Sequence, residues 1–225
     1  KKEEIKENIK ATKKEVKEAA KEVVEDVKDV MKDIKDMTLT ELKEVGINTW
    51  IAGGAIRDYF MGVKIKTDYD LFFPNQVEYE KCKTYFNAKG AEVRWESDNG
   101  MKVKYNGKTF DLVKKYFETP QATIDNFDFT VSMFAVDYEK VYFGETTFID
   151  LAKRQLMLNK IPYPASTMSR AFRYYGKGFK MCLGEMKKLC EAIQAMPPEE
   201  KQDESVNTDN PPSGDDTVNY FVGID

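Results

Sequence analysis

Asp68 and Asp70, one residue apart around Tyr69, follow a Gly53-Gly54-Ala55-Ile56-Arg57-Asp58 run that ends ten residues earlier. These are the residues of the chain best suited to chemistry. Side chains at i and i+2 of a strand leave the same face. Asp68 and Asp70 therefore project together, while Tyr69 and Leu71 turn into packing. Two such carboxylates repel unless positive charge lies between them. Mg²⁺ (or Mn²⁺) suits that place, because it takes carboxylate and phosphate oxygens at short range. A third carboxylate on a neighbouring strand would complete a two-metal site, and Asp111 in Thr109-Phe110-Asp111-Leu112-Val113 is the one on offer. Two metals lower the pKa of an attacking hydroxyl and stabilise a pyrophosphate leaving group. Such a site needs no histidine, and the chain has none.

Gly53 and Gly54 let the backbone approach phosphates and present amides at a helix start. Arg57, one turn into that helix, could bind phosphate or pair with Asp58 or another carboxylate. A second basic group comes later: Lys153, Arg154, Lys160, Arg170, Arg173, Lys177 and Lys180. Arg170, Arg173 and Lys177 share a helix face at spacings of three and four, with Tyr163, Tyr174 and Tyr175 as stacking surfaces. That face suits a triphosphate or an RNA backbone. A plain basic helix surface is the competing reading.

The elements that must position these groups can be read in order. Thr40, with Glu41 and Glu44, is expected to cap a helix ending at Gly46. Residues 47–52 read as a strand, 55–61 as a short helix closed by Gly62, and 70–73 as a buried strand stopped by Pro74. Residues 77–88 read as a helix. Strands at 91–96, 101–105 and 109–114 follow, the last two joined by an Asn106-Gly107 hairpin turn. A short strand is expected at 141–143, a turn into a helix at 147–151, and a helical segment over 165–194 weakened by Gly176, Gly178 and Gly184. This order argues a small mixed sheet of α+β class rather than a doubly wound one.

Bulk composition narrows the function. The 225 residues carry 41% hydrophobic content, enough for a real core, and a net charge of only −4. Any nucleic-acid contact must then come from a local patch. The three cysteines, Cys82, Cys182 and Cys190, support neither a disulfide framework nor a zinc cluster. Without histidine, His-based triads and His-ligated metals are excluded. No apolar run approaches the roughly 20 residues of a membrane span. A reduced, cytoplasmic setting without membrane contact is expected.

Four regions are expected. Residues 1–36 form a charged helical arm with an apolar stripe of Ile5, Ile9, Val16, Ala20, Val23, Val27, Val30 and Ile34. It either packs on the domain or serves as a homo-oligomer or protein-partner contact. Residues 37–160 form the head and 161–196 a helical neck. Residues 197–225 form an acidic flexible tail, ending in apolar Tyr220-Phe221-Val222-Gly223-Ile224.

The segment from Trp50 to Gly62, followed by Asp68-Tyr69-Asp70-Leu71, resembles the head of bacterial-type (class II) CCA-adding enzymes and poly(A) polymerases, in the polymerase-beta-like nucleotidyltransferase superfamily. The resemblance extends through Asp128-Phe129-Thr130-Val131-Ser132 to Ser169-Arg170-Ala171-Phe172-Arg173-Tyr174, spanning roughly residues 39–184. It implies an α/β head with Asp68 and Asp70 as metal ligands, and Gly53, Gly54 and Arg57 near the triphosphate. A neck helix would select the base. It further implies transfer of a nucleoside monophosphate from an NTP to an RNA 3′-hydroxyl. The chain departs from that pattern where Asn126 and Phe127 replace an arginine pair. It departs again where Pro164 and Thr167 stand for an aspartate and an arginine, and the large helical body is missing. The resemblance therefore points to a smaller relative with another acceptor, of phage or mobile-element type. The other expectations are an inactive nucleotidyltransferase-fold protein that binds nucleotide or serves an assembly, and a toxin- or defence-type transferase.

Overall fold

The computed structural model describes residues 39–63 and 68–197. The charged arm and nearly all of the acidic tail lie outside the described residues.

Helix α1 (Thr40–Glu44) starts from Leu39, whose backbone is already helical. Thr40 is thus the first helical residue, and the expected Thr40 cap is not made. The helix ends at Gly46, where φ is +77°. Ile47 and Thr49 are buried lead-in residues, and strand β1 is only Trp50–Ala52. Helix α2 (Gly54–Phe60) follows directly. Strand β2 (Tyr69–Phe73) is buried throughout. Helix α3 (Gln76–Ala88) is capped by the Asn75 side chain, which accepts from the Glu78 amide. Strands β3 (Glu92–Ser97), β4 (Gly100–Tyr105) and β5 (Lys108–Tyr116) then form the expected meander. The Asn106-Gly107 turn has positive φ at both residues, as a two-residue hairpin requires.

Helix α4 (Pro120–Ile124) begins with proline at its first turn and is capped by the Thr119 side chain. A 3₁₀ turn at Thr130–Ser132 leads into β6 (Phe134–Val136), paired with β7 (Val141–Phe143). Helix α5 (Thr147–Ala152) precedes two neck helices, α6 (Pro164–Gly176) and α7 (Leu183–Gln194). One helical segment over 165–194 was the expectation. It breaks after Gly176 because Gly178 takes φ +89°, a left-handed stop.

The strands form one seven-stranded sheet in the order β3-β4-β5-β2-β1-β6-β7. Every neighbouring pair is antiparallel except β2 and β5, which run parallel. Alternation divides the strands between two cores. Tyr69, Leu71 and Phe73 face Tyr79, Cys82 and Phe86 of α3, together with Phe110 and Leu112. Trp50, Ala52, Phe72, Val113 and Ala135 share the opposite face with Ile124 of α4.

The β4–β5 seam tolerates no side chain at Gly100. A Cβ there would lie 2.3 Å from the Leu112 carbonyl oxygen, at φ +156°. Gly100→Ala is expected to cost about 1–3 kcal/mol by forcing the backbone apart. Urea unfolding would read this as a lowered midpoint, and an unchanged midpoint would refute the close approach.

Candidate active site

Register across the sheet lines up one row of residues on the face opposite α3. From the edge inward, Trp95 pairs with Lys102, Lys102 with Asp111, Asp111 with Asp70, and Asp70 with Ala52. Residues facing one another in register lie one strand spacing apart, about 5 Å. The parallel β2–β5 seam therefore sets Asp70 beside Asp111, and Asp68 enters at the mouth of β2. The three sequence-selected acids are brought together. Tyr69 and Leu71 turn to the other core, as alternation requires.

Lys102, which the sequence reading passed over, completes the cluster. Its Nζ lies 2.6 Å from Asp68 Oδ2 and 3.3 Å from Asp111 Oδ2. Burial pulls this ammonium toward neutrality. The hydrogen bond from Nζ to Asp68 and the charges of Asp111 and Asp68 outweigh burial and hold its pKa above the ordinary lysine value. It is charged at any neutral pH. Among the described residues, no group of three or more His, Cys, Asp or Glu is arranged to hold a metal ion. Positive charge between the acids is supplied here by a lysine.

Trp95, half in solvent, reaches this face through a bulge. The register shifts between Val93 and Trp95. Arg94 is the extra residue, which turns Trp95 to the Lys102 side while Val93 stays opposite Val103.

The double glycine has a structural reason of its own. Gly53 takes φ +90°, closed to ordinary side chains, and its amide bonds to the Phe134 carbonyl. Gly54 makes room for Arg57, since a Cβ there would lie 3.2 Å from the Arg57 guanidinium. Arg57 is almost fully buried. It forms an ion pair with Asp58 at 2.6 Å and donates to the Tyr174 hydroxyl at 2.7 Å. Tyr174 also touches Ser132 Oγ. One neck tyrosine thus ties α6 to α2 and to the 3₁₀ turn. Tyr174→Phe is expected to cost about 1.5–3 kcal/mol, because a buried guanidinium loses an acceptor. A urea midpoint equal to the parent's would show that the hydroxyl is dispensable.

The basic neck face divides. Arg170 is buried, and its Nε donates to Asp128. Arg173 is half-buried, and Lys177, exposed at the end of α6, lies 5.9 Å over the Tyr174 ring. Pro164 starts α6, and Thr167 is buried beneath it. Arg57 and Arg170, expected at the triphosphate, are each held by a buried carboxylate.

A protein-family model matches residues 11–154 and is described as Gabija anti-defense 2 family protein. The chain belongs to the Gabija anti-defense 2 family. Solved structures share the architecture of this family member at low identity. A tRNA-processing enzyme with CTP is 21% identical, covering 70% of this chain and 46% of its own, at a TM-score of 0.53. A tRNA nucleotidyltransferase with a primer tRNA and an ATP analogue is 20% identical, covering 70% and 50%, at 0.54. The Bacillus stearothermophilus CCA-adding enzyme in complex with CTP is 18% identical, covering 67% and 40%, at 0.55. The chain spans half or less of each of these proteins. No curated protein matches it. The fold is that of a nucleotidyltransferase head. No helix among the described residues is long and apolar enough to cross a membrane.

Proposed function

We propose that this anti-defence family member is a nucleotidyltransferase that moves a nucleoside monophosphate from an NTP to an acceptor hydroxyl, with an RNA 3′ end as the first acceptor to test. One observation carries the reading: Asp70 and Asp111 stand side by side in register across the parallel β2–β5 seam, with Asp68 at its mouth. A buried Asp70 held beside a half-buried Asp111 is costly to keep in a fold unless positive charge is brought to the pair.

In the reaction, the acceptor oxygen forms a bond to the α-phosphorus. The bond from that phosphorus to the α,β-bridging oxygen breaks, and pyrophosphate leaves with the electron pair. The hydroxyl proton passes to a site carboxylate or to water. Oxygen donors of Asp68, Asp70 and Asp111 suit a hard divalent cation such as Mg²⁺ or Mn²⁺, which when bound would supply charge for the triphosphate and lower the acceptor's pKa. The chain's own residues do the rest. Gly53 and Gly54 bring backbone close to the site. Arg57 ties α2 to the neck through the Tyr174 hydroxyl, and Arg170 fixes α6 through Asp128. Lys177 is exposed at the end of the neck helix, with Arg173 half-buried one turn before it. A phage or mobile-element origin fits an anti-defence family.

A second reading is binding without turnover. The burial of Arg57 and Arg170 on carboxylates favours it, because it removes two cations from the triphosphate's reach. The test separates the two. The protein is incubated with each α-labelled NTP, Mg²⁺ or Mn²⁺, and total cellular RNA, beside Asp68→Asn/Asp70→Asn. Label on RNA or protein only with the aspartates intact establishes the transferase. Nucleotide retained on the protein without transfer establishes binding alone.

A further inference from the structure

We propose that Lys102 is the site's resident second cation: its ammonium takes the place of one divalent ion between Asp68 and Asp111, so that the site binds a single divalent ion. The inference rests on the nucleotidyl-transfer reading and narrows it from two metals to one.

Geometry is the first ground. One Nζ contacts an oxygen of each acid, at 2.6 and 3.3 Å. A Mg²⁺ bridging the same two oxygens would bind them at about 2.1 Å. It would then sit against the ammonium, with no carboxylate between the two cations. Either the lysine or the ion can hold that gap, not both.

Charge is the second ground. Asp68, Asp70 and Asp111 carry three negative charges and Lys102 one positive, leaving two. One divalent ion neutralises that remainder. A second would overshoot it before the triphosphate arrives.

Backbone register is the third. Lys102 is not at the end of a mobile loop. It is an interior residue of β4, fixed opposite Asp111 on one side and Trp95 on the other. Its stem leaves the sheet on the acid face because Met101 and Val103 are locked into the opposite core. Only about a quarter of its side chain is exposed. A lysine so placed needs no recruitment, and its charge does not exchange with solvent as a second metal would.

The consequence is a count. Bound Mn²⁺ is measured by electron paramagnetic resonance with the α,β-imido analogues of ATP and CTP, each tested separately. The proteins are the parent chain, Lys102→Arg, Lys102→Met and Lys102→Gln. One Mn²⁺ per chain is expected for the parent and for Lys102→Arg, and two for Lys102→Met and Lys102→Gln. The second ion should bind at least tenfold more tightly in those variants than any second ion on the parent. Two tight ions on the parent overturn the proposal. A count of one in every variant also overturns it. If neutral substitutions unfold the chain, a parent count of two still overturns the proposal, and a parent and Lys102→Arg count of one supports it. The label-transfer assay keeps the two failures apart. A parent that transfers label and holds two ions remains a transferase with another role for Lys102. A parent that binds neither analogue nor Mn²⁺ removes the transferase reading and this inference with it.

Discussion

For the proposed reaction, Asp70→Asn is expected to lower label transfer by a thousandfold or more, on the order of 4 kcal/mol of transition-state stabilisation. The variant is expected to fold as the parent does. Asparagine matches aspartate in shape, and Asp70 is a strand residue beside Asp111 that makes no part of either apolar core. Removing one of three clustered negative charges relieves repulsion, so the thermal midpoint holds or rises. Loss of transfer with a retained midpoint separates a chemical role from a structural one. Transfer within tenfold of the parent would remove Asp70 from the reaction.

Arg170→Met is expected to behave in the opposite way, with a large loss of stability. Arg170 and Asp128 are both buried, and the arginine is the carboxylate's charged partner. Truncating it strands a charge in the interior, a loss of about 3–5 kcal/mol. The double variant Asp128→Asn/Arg170→Met recovers much of this, since no charge is left behind. The pH dependence has a definite sign. Burial already raises the Asp128 pKa above its ordinary 3.8, against the opposing pull of Arg170. In Arg170→Met that opposition disappears and the pKa climbs further. A carboxyl whose folded pKa exceeds its unfolded one favours the fold when protonated. Its stabilising contribution is present below the unfolded value and is lost as pH rises through the folded one. The gap between variant and parent should therefore narrow as pH is lowered toward 4. Urea midpoints that fall in parallel at every pH would refute the stranded charge.

Much of the site is legible in the sequence. Asp68 and Asp70 declare a shared face by their spacing, and Asp111 sits in an apolar strand where a carboxylate needs a reason. Lys102 was legible but unread. In Met101-Lys102-Val103-Lys104-Tyr105 a lysine looks like the solvent half of an alternating strand. Yet the two-residue Asn106-Gly107 turn pairs Tyr105 with Lys108, and three steps outward it pairs Lys102 with Asp111. The signal was in the hairpin count, not in the residue type. Trp95 was beyond that count, because the bulge at Arg94 shifts the register and no local pattern marks it. The arginines show a different limit. Arg57 takes the neighbouring Asp58, one of the two partners its sequence offered, but the groups that complete the hold on each arginine depend on distant packing. Arg57 meets Tyr174 across 117 positions of chain, and Arg170 meets Asp128 across 42. The neck read as one helical segment with Gly176, Gly178 and Gly184 as its weak points. The break depends on one backbone angle at Gly178.

The single parallel seam also sets an order of assembly. Lys102 and Asp111 belong to one hairpin, whose closure is local and takes microseconds. Asp68 and Asp70 join only when β2 meets β5, after the chain between Phe73 and Lys108 has gone out and returned. That closure is the slow, long-range event. By then Asp111 already has its lysine opposite it. The last acids to arrive meet a pair whose charge is balanced rather than a bare anion, and the hairpin shields the late step of its own domain's folding from the repulsion that the finished site contains.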